Sequence, residues 1–353
     1  MSPFSAFDHA MMRRALALAE RGLYSTTPNP RVGCVVTRDE RVLAEAWHER
    51  AGAPHAEAAA LAGIDARGAT VYVNLEPCNH HGRTPPCVQA LIEAKVRRVV
   101  AALRDPNPQA AGGGEALRAA GIEFVHGLFE DEARELNIGF VSRVTRRRPW
   151  VRVKTAATLD GRTALADGRS QWITGVEARR DGHRWRARAC ALLTGIGTVR
   201  ADDPQLTVRE IETTRQPLRV IVDSRLETPR DARILQGERV LVFAARAGEL
   251  PNAEVVVLPN ASGKVDLPRM LEALAERGVN ELHVEAGFRL NGSLVREGCV
   301  DELLVYLNAS VLGDGAEGML DLAAPAALDE RLRLRLVSVE RLGDDLRLLA
   351  RPR

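Results

Sequence analysis

Four residues between positions 55 and 87 have the types and order to do chemistry together: His55, Glu57, Cys78 and Cys87. One imidazole and two thiolates fill three tetrahedral positions on zinc and leave the fourth for water, which separates a hydrolytic centre from a closed structural one. Zinc lowers the pKa of such a water towards ~7, and a carboxylate that is not a ligand can take its proton and pass it on. Glu57 fits that role. Residues two apart point about 200° away from each other around a helix, so His55 and Glu57 serve one ion only from a first turn. Pro54 ahead of His55, and Pro85-Pro86 ahead of Cys87, suit two helix starts converging on the metal. Their partial positive charge is then expected to favour the thiolate of Cys87. Any one of these residues alone reads more simply as packing or as a helix-end histidine. The ordered set reads as a site.

The elements that must position these groups are legible from periodicity. Asp8 to Gly22 has helical spacing, with Asp8 as a cap and Gly22 as a stop. Short apolar runs at Val32 to Thr37, Thr70 to Leu75, Arg98 to Leu103 and Glu123 to Val125 read as strands. Helical patterns at Ala56 to Gly63, Cys87 to Ala94 and Gly114 to Ala120 lie between them. This alternation predicts an α/β layer with a largely parallel sheet. A basic, Pro-terminated stretch from Arg143 to Pro149 reads as a solvated linker, giving a first domain over 1–145, a linker over 146–149 and a second domain over 150–353. In the second region, strands are expected at Trp150 to Ala156, Ala191 to Thr194, Leu218 to Asp223, Val240 to Ala244, Glu254 to Leu258, Glu281 to Glu285 and Leu303 to Leu307. Helices fit Gly175 to Arg188 and Pro268 to Arg277, and a hairpin spans Leu332 to Val339 and Leu346 to Ala350.

Composition narrows the classes further. A chain of 353 residues exceeds the ~100–200 of one domain. Its 45% hydrophobic and 27% charged residues are ordinary for a folded chain. With Lys+Arg 49 against Asp+Glu 47, the net charge of +2 argues against a nucleic-acid coating protein. The longest uncharged runs, such as Ala189 to Val199, fall short of the ~18–20 residues that span a bilayer. No secretory leader is recognisable, so a soluble, cytoplasmic protein is expected. Five cysteines suggest no disulfide framework, and Cys34, Cys190 and Cys299 have no evident role beyond packing. The sequence leaves monomer and homo-oligomer equally open.

The order of imidazole, free carboxylate and two thiolates is that of a zinc deaminase, but the cysteine spacing is longer than the common short one. The insert reads Asn79-His80-His81-Gly82-Arg83-Thr84-Pro85-Pro86. With PHAE, LEPCNHHGRTPPC and TPNPRVG, and later VKTAATLDGR, SQWIT, TGIGTVRADDPQLTVR and HVEAG, nearly the whole chain resembles the bifunctional deaminase-reductase family of bacterial riboflavin biosynthesis. The resemblance implies an N-terminal cytidine-deaminase-like three-layer α/β domain and a C-terminal dihydrofolate-reductase-like α/β domain. It implies zinc and NADPH as cofactors, and small phosphorylated pyrimidines as partners in place of nucleic acid or membrane. The activities implied are hydrolytic deamination of a diaminopyrimidinone ribosyl phosphate and reduction of its ribosyl chain to ribityl. By matching position, Asn29, His48, His80 and Arg83 contact the first substrate. Ser170, Arg186, Leu206, Arg209 and Glu285 contact the second, with Lys154 at its ribose. Ala156, Trp172, Thr198, Asp202, Ser224 and the segment from Gly287 to Ser293 contact NADPH.

Read without the resemblance, the second region is less specific. Gly195-Ile196-Gly197-Thr198-Val199-Arg200 breaks the dinucleotide fingerprint at its third glycine, which excludes a Rossmann fold. Val284-Glu285-Ala286-Gly287 closes a strand before a turn into Leu290-Asn291-Gly292-Ser293, whose N–H groups can meet a pyrophosphate; an ordinary strand-to-helix turn explains it as well. Lysine occurs only at 95, 154 and 264, so Lys154 inside a strand, where arginine is the default cation, points to a compact or titratable ammonium. Arg186 and Arg209 suit phosphate clamping or surface ion pairs, and Trp172 suits core filling as well as a cofactor. Two rival readings stand beside the enzyme pair: a nucleic-acid-editing deaminase with an accessory domain, disfavoured by the charge, and a zinc-stabilised binding module, disfavoured by the intact His55, Glu57, Cys78 and Cys87.

Overall fold

Ser5 starts the first helix by exchanging hydrogen bonds with Asp8: its hydroxyl accepts the Asp8 N–H at 3.1 Å, and the Asp8 carboxylate accepts the Ser5 N–H at 2.8 Å. The computed structural model describes residues 4–80, 85–238 and 240–353. Its chain divides into two compact units, Met1–Arg147 and Arg148–Arg353. In the first, the elements are α1 (Ala6–Glu20), β1 (Gly33–Arg38), β2 (Arg41–Trp47), α2 (Ala56–Leu61), β3 (Thr70–Leu75), α3 (Cys87–Glu93), β4 (Arg98–Leu103), α4 (Gly113–Ala119), β5 (Glu123–His126), α5 (Glu130–Leu136) and α6 (Ile138–Arg146).

Among the described residues, these strands form one sheet in the order β2-β1-β3-β4-β5. The β3, β4 and β5 strands are parallel, while β1 runs antiparallel to both β2 and β3. The sheet is thus only half parallel, contrary to the expectation. The overlooked strand is β2: its burial alternates, but Leu43 on the exposed face and Ala44 and Ala46 on the other blur that alternation in the sequence; a tight turn with Asp39 and Glu40 at positive φ joins it to β1. Side chains alternate across the sheet. Val71, Val73, Val99 and Ala101 pack under α2, α3 and α4 through Ala60, Leu91 and Leu117. Tyr72, Val100 and Ala102 meet Met12 and Ala15 of α1, Ala133 of α5 and Phe140 of α6 on the other face. The result is three layers. Gly33 lets α1 lie close: a Cβ there would fall 2.1 Å from the Ala15 carbonyl oxygen. The basic run read as a linker differs too. Arg143 to Arg146 form the last turn of α6, where cations suit the helix dipole, and Arg147 caps it at φ 56°.

The second unit contains β6 (Trp150–Thr158), β7 (Arg162–Ala164), α7 (Val176–Arg188), β8 (Ala191–Gly195), α8 (Ile196–Asp202), β9 (Leu218–Val222), β10 (Val240–Ala244), β11 (Ala253–Val257), α9 (Leu267–Glu276), β12 (Glu281–Val284), α10 (Phe288–Arg296), β13 (Glu302–Asn308), β14 (Glu317–Gly318), β15 (Leu334–Leu342) and β16 (Asp345–Pro352). Among the described residues its main sheet runs β11-β10-β9-β8-β12-β6-β13-β16-β15. From β11 to β13 every pairing is parallel, and the β15–β16 hairpin closes the far side antiparallel. One face buries Val153, Leu193, Phe243 and Val284 under α9 and α10. The other carries Leu192, Ile221 and Val242 near α8, and Leu304 and Tyr306 under α7.

Within that sheet, Arg152 is fully buried between two carboxylates, 3.1 Å from Glu281 and 2.5 Å from Glu302. Arg188 and Arg351 each meet one of the same acids at 2.8 Å. Removing the central cation leaves each acid with one arginine but takes away the buried ion pair and hydrogen bond that each makes with Arg152, which costs about 3 kcal/mol. Arg152→Met is therefore expected to lower the melting temperature of the second unit by roughly 6–12 °C, at ~2–4 °C per kcal/mol for this size. Calorimetry of the full chain checks this, and a shift below about 2 °C contradicts it.

Candidate active site

In the first unit the ligand-type residues come from three chain segments at one edge of the sheet. His55 is the N-cap of α2, in extended conformation, and Glu57 lies in the first turn. Cys87 opens α3 behind Pro86. Cys78 follows β3 on irregular backbone. The N-cap position resolves the two-residue spacing problem, because His55 is not yet helical and its side chain departs differently from that of Glu57. His55 Nδ1 is 3.2 Å from Cys87 Sγ and 3.6 Å from Cys78 Sγ, and all three ligand atoms lie within 4.8 Å of one another. Zinc ligands at ~2.0 Å for nitrogen and ~2.3 Å for sulfur stand roughly 3.5–3.8 Å apart in a tetrahedron, so the donor set fits that ion.

The local electrostatics suit a metal centre. The hydrogen bond from the Cys87 thiol pulls Cys78 down to about 4 against its burial, with His55 assisting. The same bond, together with burial, pushes Cys87 far up. The sequence led to the expectation of a thiolate at Cys87; instead the helix-start N–H of Cys87 reaches Cys78 Sγ at 3.5 Å, so the helix terminus favours the thiolate of Cys78. Burial raises the Glu57 carboxyl to about 7, and the nearby Cys78 charge adds to the rise. Glu57 stands outside the three-residue ligand group. A carboxyl near neutrality can both accept and return a proton at physiological pH.

His48 and Asn29 form a second pair beside this centre. Buried His48 donates from Nδ1 to the Pro54 carbonyl at 3.0 Å, and its Nε2 accepts from Asn29 Nδ2 at 3.0 Å. Its ring meets His55 edge-on at 5.6 Å, and burial holds it below the usual histidine range. His80 is exposed, while Arg83 and His81 lie outside the described residues. Two acids here escaped the sequence reading. Glu76 is enclosed immediately before Pro77-Cys78, a placement that was the available signal. Asp105 is half-buried; burial, with Glu76 and Cys78 nearby, lifts its carboxyl to about 6.

In the second unit, four of the residues singled out follow the carboxyl ends of parallel strands, where open α/β sheets place ligands. Thr198 is on α8 after β8, Ser224 follows β9, and Glu285 and Gly287 follow β12. Arg186 of α7 grips Glu285 with two N–H groups, at 2.5 and 2.8 Å, and donates a third to the Thr207 carbonyl at 3.1 Å. Burial would raise Glu285, yet Arg186 holds it well below the carboxylate range. Burial keeps the Lys154 ammonium below the ordinary lysine range, with Glu285 opposing and Arg186 adding. Its Nζ lies 5.8 Å from the Tyr306 ring centre. Ala156 is two residues further along β6.

Arg209 donates its backbone N–H to His183 Nδ1 at 3.2 Å and its guanidinium to Thr207 Oγ1 at 3.1 Å. His183 was not anticipated; burial and Arg186 push it down to about 4. Leu206 is buried at φ 51°. Ser170 is half-buried and Asp202 exposed. Trp172 does not fill a core: it is 71% exposed beneath the Arg179 guanidinium, 4.7 Å from the ring centre. Ser224 accepts the Ala245 N–H on its carbonyl and the Val265 N–H on its hydroxyl, both at 3.1 Å. The turn after Gly287 leads straight into α10, so the Leu290 to Ser293 stretch expected to offer N–H groups is already helical. Gly287 caps α10, Asn291 N–H is already bonded to the Gly287 carbonyl at 3.2 Å, and the Ser293 hydroxyl is held by Arg289 and Arg296 within the helix.

Comparison with known proteins agrees with this two-part description. A family profile described as the RibD C-terminal domain matches residues 149–348, and one described as the cytidine and deoxycytidylate deaminase zinc-binding region matches residues 5–103. The chain is 44% identical to the riboflavin biosynthesis protein RibD of Escherichia coli over 96% of this chain and 98% of that one. It is 43% identical to RibD of Haemophilus influenzae, with both chains covered completely. Among solved structures, form 1 of Acinetobacter baumannii RibD superposes with a TM-score of 0.92 at 43% identity, covering 98% of this chain and 99% of that one. A Thermotoga maritima diaminohydroxyphosphoribosylaminopyrimidine deaminase/5-amino-6-(5-phosphoribosylamino)uracil reductase gives 0.90 at 36% identity, with the same coverage. Matched along its whole length, and carrying a zinc-type donor set in one half and a reductase-family fold in the other, the chain belongs to the RibD family of riboflavin biosynthesis proteins.

Proposed function

We infer that the protein is a bifunctional enzyme of riboflavin biosynthesis, a zinc deaminase in residues 1–145 and an NADPH-dependent reductase in residues 150–353. The observation that carries the reading is the convergence of His55 Nδ1, Cys78 Sγ and Cys87 Sγ beside a buried carboxyl that is not one of them. The first reaction replaces the 2-amino group of 2,5-diamino-6-(5-phospho-ribosylamino)pyrimidin-4(3H)-one by oxygen. The second reduces the resulting ribosylaminouracil to its ribitylamino form.

His55, Cys78 and Cys87 hold the metal, which when bound supplies a water acidic enough to attack an amidine-like carbon near neutral pH. The Glu57 carboxylate would take one proton from the attacking water and pass it to the ring nitrogen, then take the second from the hydroxyl so formed and pass it to the amino group, which leaves as ammonia while the carbonyl forms. Asn29 and His48, already bonded to each other, present a fixed polar edge to the pyrimidine. His80 and Arg83, on the insert between the cysteines, meet the ribosyl phosphate.

For the second step, NADPH when bound would supply the hydride for C1′ of the opened ribose. Ala156, Trp172, Thr198, Asp202, Ser224 and the start of α10 at Gly287 would hold the cofactor. The Ser293 hydroxyl already donates to the Arg289 carbonyl, so in this arrangement it would meet the cofactor as an acceptor. Arg186 and Glu285 orient the substrate, with Ser170, Leu206 and Arg209 around it. Lys154, its proton made easier to release by burial, hydrogen-bonds the developing hydroxyl. Among the described residues no helix is long and apolar enough to cross a membrane. Five free thiols support a reducing, cytoplasmic setting.

Metal analysis of the purified chain is expected to give one zinc per chain, lost in Cys78→Ser and in Cys87→Ser; full zinc in either variant removes the assignment. Glu57→Gln is expected to keep its zinc while deamination falls by ~10²–10⁴, and near-normal turnover would take Glu57 out of the mechanism. With the diaminopyrimidinone ribosyl phosphate and NADPH, Lys154→Ala should accumulate the deaminated, unreduced product, with kcat for reduction falling more than the KM for NADPH changes. Mass spectrometry of the products decides; blocked deamination with intact reduction would overturn the assignment of the two halves.

A further inference from the structure

Of the three residues that meet at the proposed zinc centre, His55 and Cys87 are held by helix starts, but Cys78 lies on backbone with no regular hydrogen-bonding pattern. From α3 it is held by the N–H groups of Val88 and Cys87, which reach its carbonyl at 3.3 Å and its Sγ at 3.5 Å, and from the other side by the residues that precede it. Two residues earlier, the Glu76 side chain is completely enclosed. One of its oxygens accepts the N–H of Gly114, in the first turn of α4, at 2.7 Å. The other accepts the N–H of Asp105, on the segment after β4, at 3.0 Å, with Arg104 Nε at 3.4 Å.

The same segments are joined on both sides of the cysteine. The Glu76 N–H donates to the Leu103 carbonyl at 2.8 Å, and the Asn79 N–H donates to the Ala110 carbonyl at 3.0 Å. Gly113 packs against Pro77 so closely that a Cβ would stand 1.9 Å from the Pro77 carbonyl oxygen. Two N–H donors from different segments therefore aim at the two oxygens of one side chain. A carboxylate satisfies both; an amide of the same shape offers one acceptor and sets an NH2 group against the other donor.

We propose that Glu76 is a positioning residue for the metal centre: by tying the end of β3 to the 104–114 segment it fixes the Cys78 sulfur and so sets zinc affinity. The inference rests on reading His55, Cys78 and Cys87 as zinc ligands. Partners that orient a metal ligand change metal affinity by ~10–100-fold when replaced.

Zinc affinity of the full chain, measured by competition with a chromogenic chelator, tests the role in Glu76→Gln and Glu76→Asp; the first keeps the shape, the second the charge with a shorter reach. Glu76→Gln is expected to weaken zinc binding by ~10–100-fold. Its deaminase kcat should recover as zinc is raised to saturation, while the substrate KM stays near the wild-type value. A purely structural role would instead lower the melting temperature of both zinc-free variants and leave affinity within twofold of wild type, which overturns the proposal. In the unaltered chain, binding that depends on this tie must slow amide exchange at Gly114 and Asp105 when zinc is added; unchanged exchange at both also overturns it. A wild-type chain that binds no zinc, or a Cys78→Ser chain that binds it undiminished, would instead refute the zinc reading itself.

Discussion

Parallel strands joined by right-handed crossovers deliver strand ends and helix starts to the same edge of a sheet, and both proposed sites are built on that constraint. In the first unit the N-termini of α2 and α3 and the exit of β3 bring an imidazole and two thiols within 4.8 Å of one another. In the second, the exits of β8, β9 and β12 carry Thr198, Ser224, Glu285 and Gly287. Antiparallel pairing could not do this, because successive strands would exit at opposite edges. The β1–β2 ribbon in one unit and the β15–β16 hairpin in the other flank the parallel strands and leave that edge free.

The buried charges divide into two kinds. Arg152 lies between Glu281 and Glu302, which in turn meet Arg188 and Arg351, so every charge in that network has an opposite neighbour. Such a network holds strands together and is inert. Glu57 is equally buried, but its neighbours are sulfurs and one imidazole, and burial leaves it near neutrality. Lys154 is comparable, since the Glu285 carboxylate that would stabilise its charge is already gripped by Arg186. Burial without full compensation leaves protons that can move, as proton-transfer chemistry requires. Function and stability here draw on the same residue types, separated by how completely each charge is matched.

Close backbone approach is the second recurring device. Gly33 under α1 and Gly113 against Pro77 let helices seat at distances that a Cβ would forbid. At Gly113 this contact joins the segment carrying Cys78 to α4, so packing and ligand placement are one feature.

By itself the sequence determined the chemical inventory and most of the elements: His55, Glu57, Cys78 and Cys87 in order, and strands such as Thr70–Leu75, Arg98–Leu103 and Val240–Ala244 at their observed bounds. These are legible because metal chemistry restricts residue type and because buried parallel strands read as short apolar runs. The tertiary structure alone decided the partnerships. Nothing local shows that Arg186 would grip Glu285, 99 positions away, or that Asn29 would orient His48. Nor does it show that the N–H of Cys87 would favour the thiolate of Cys78, or that an acid before Pro77 would bind two other segments. The basic run from Arg143 was read as a linker, although its first residues are the last turn of α6, for a related reason. Charge and glycine describe a residue's own preference, whereas a helix persists or begins where the rest of the fold buries one of its faces. Long-range pairing is set by which strand ends share an edge, and that order is not written in any single segment.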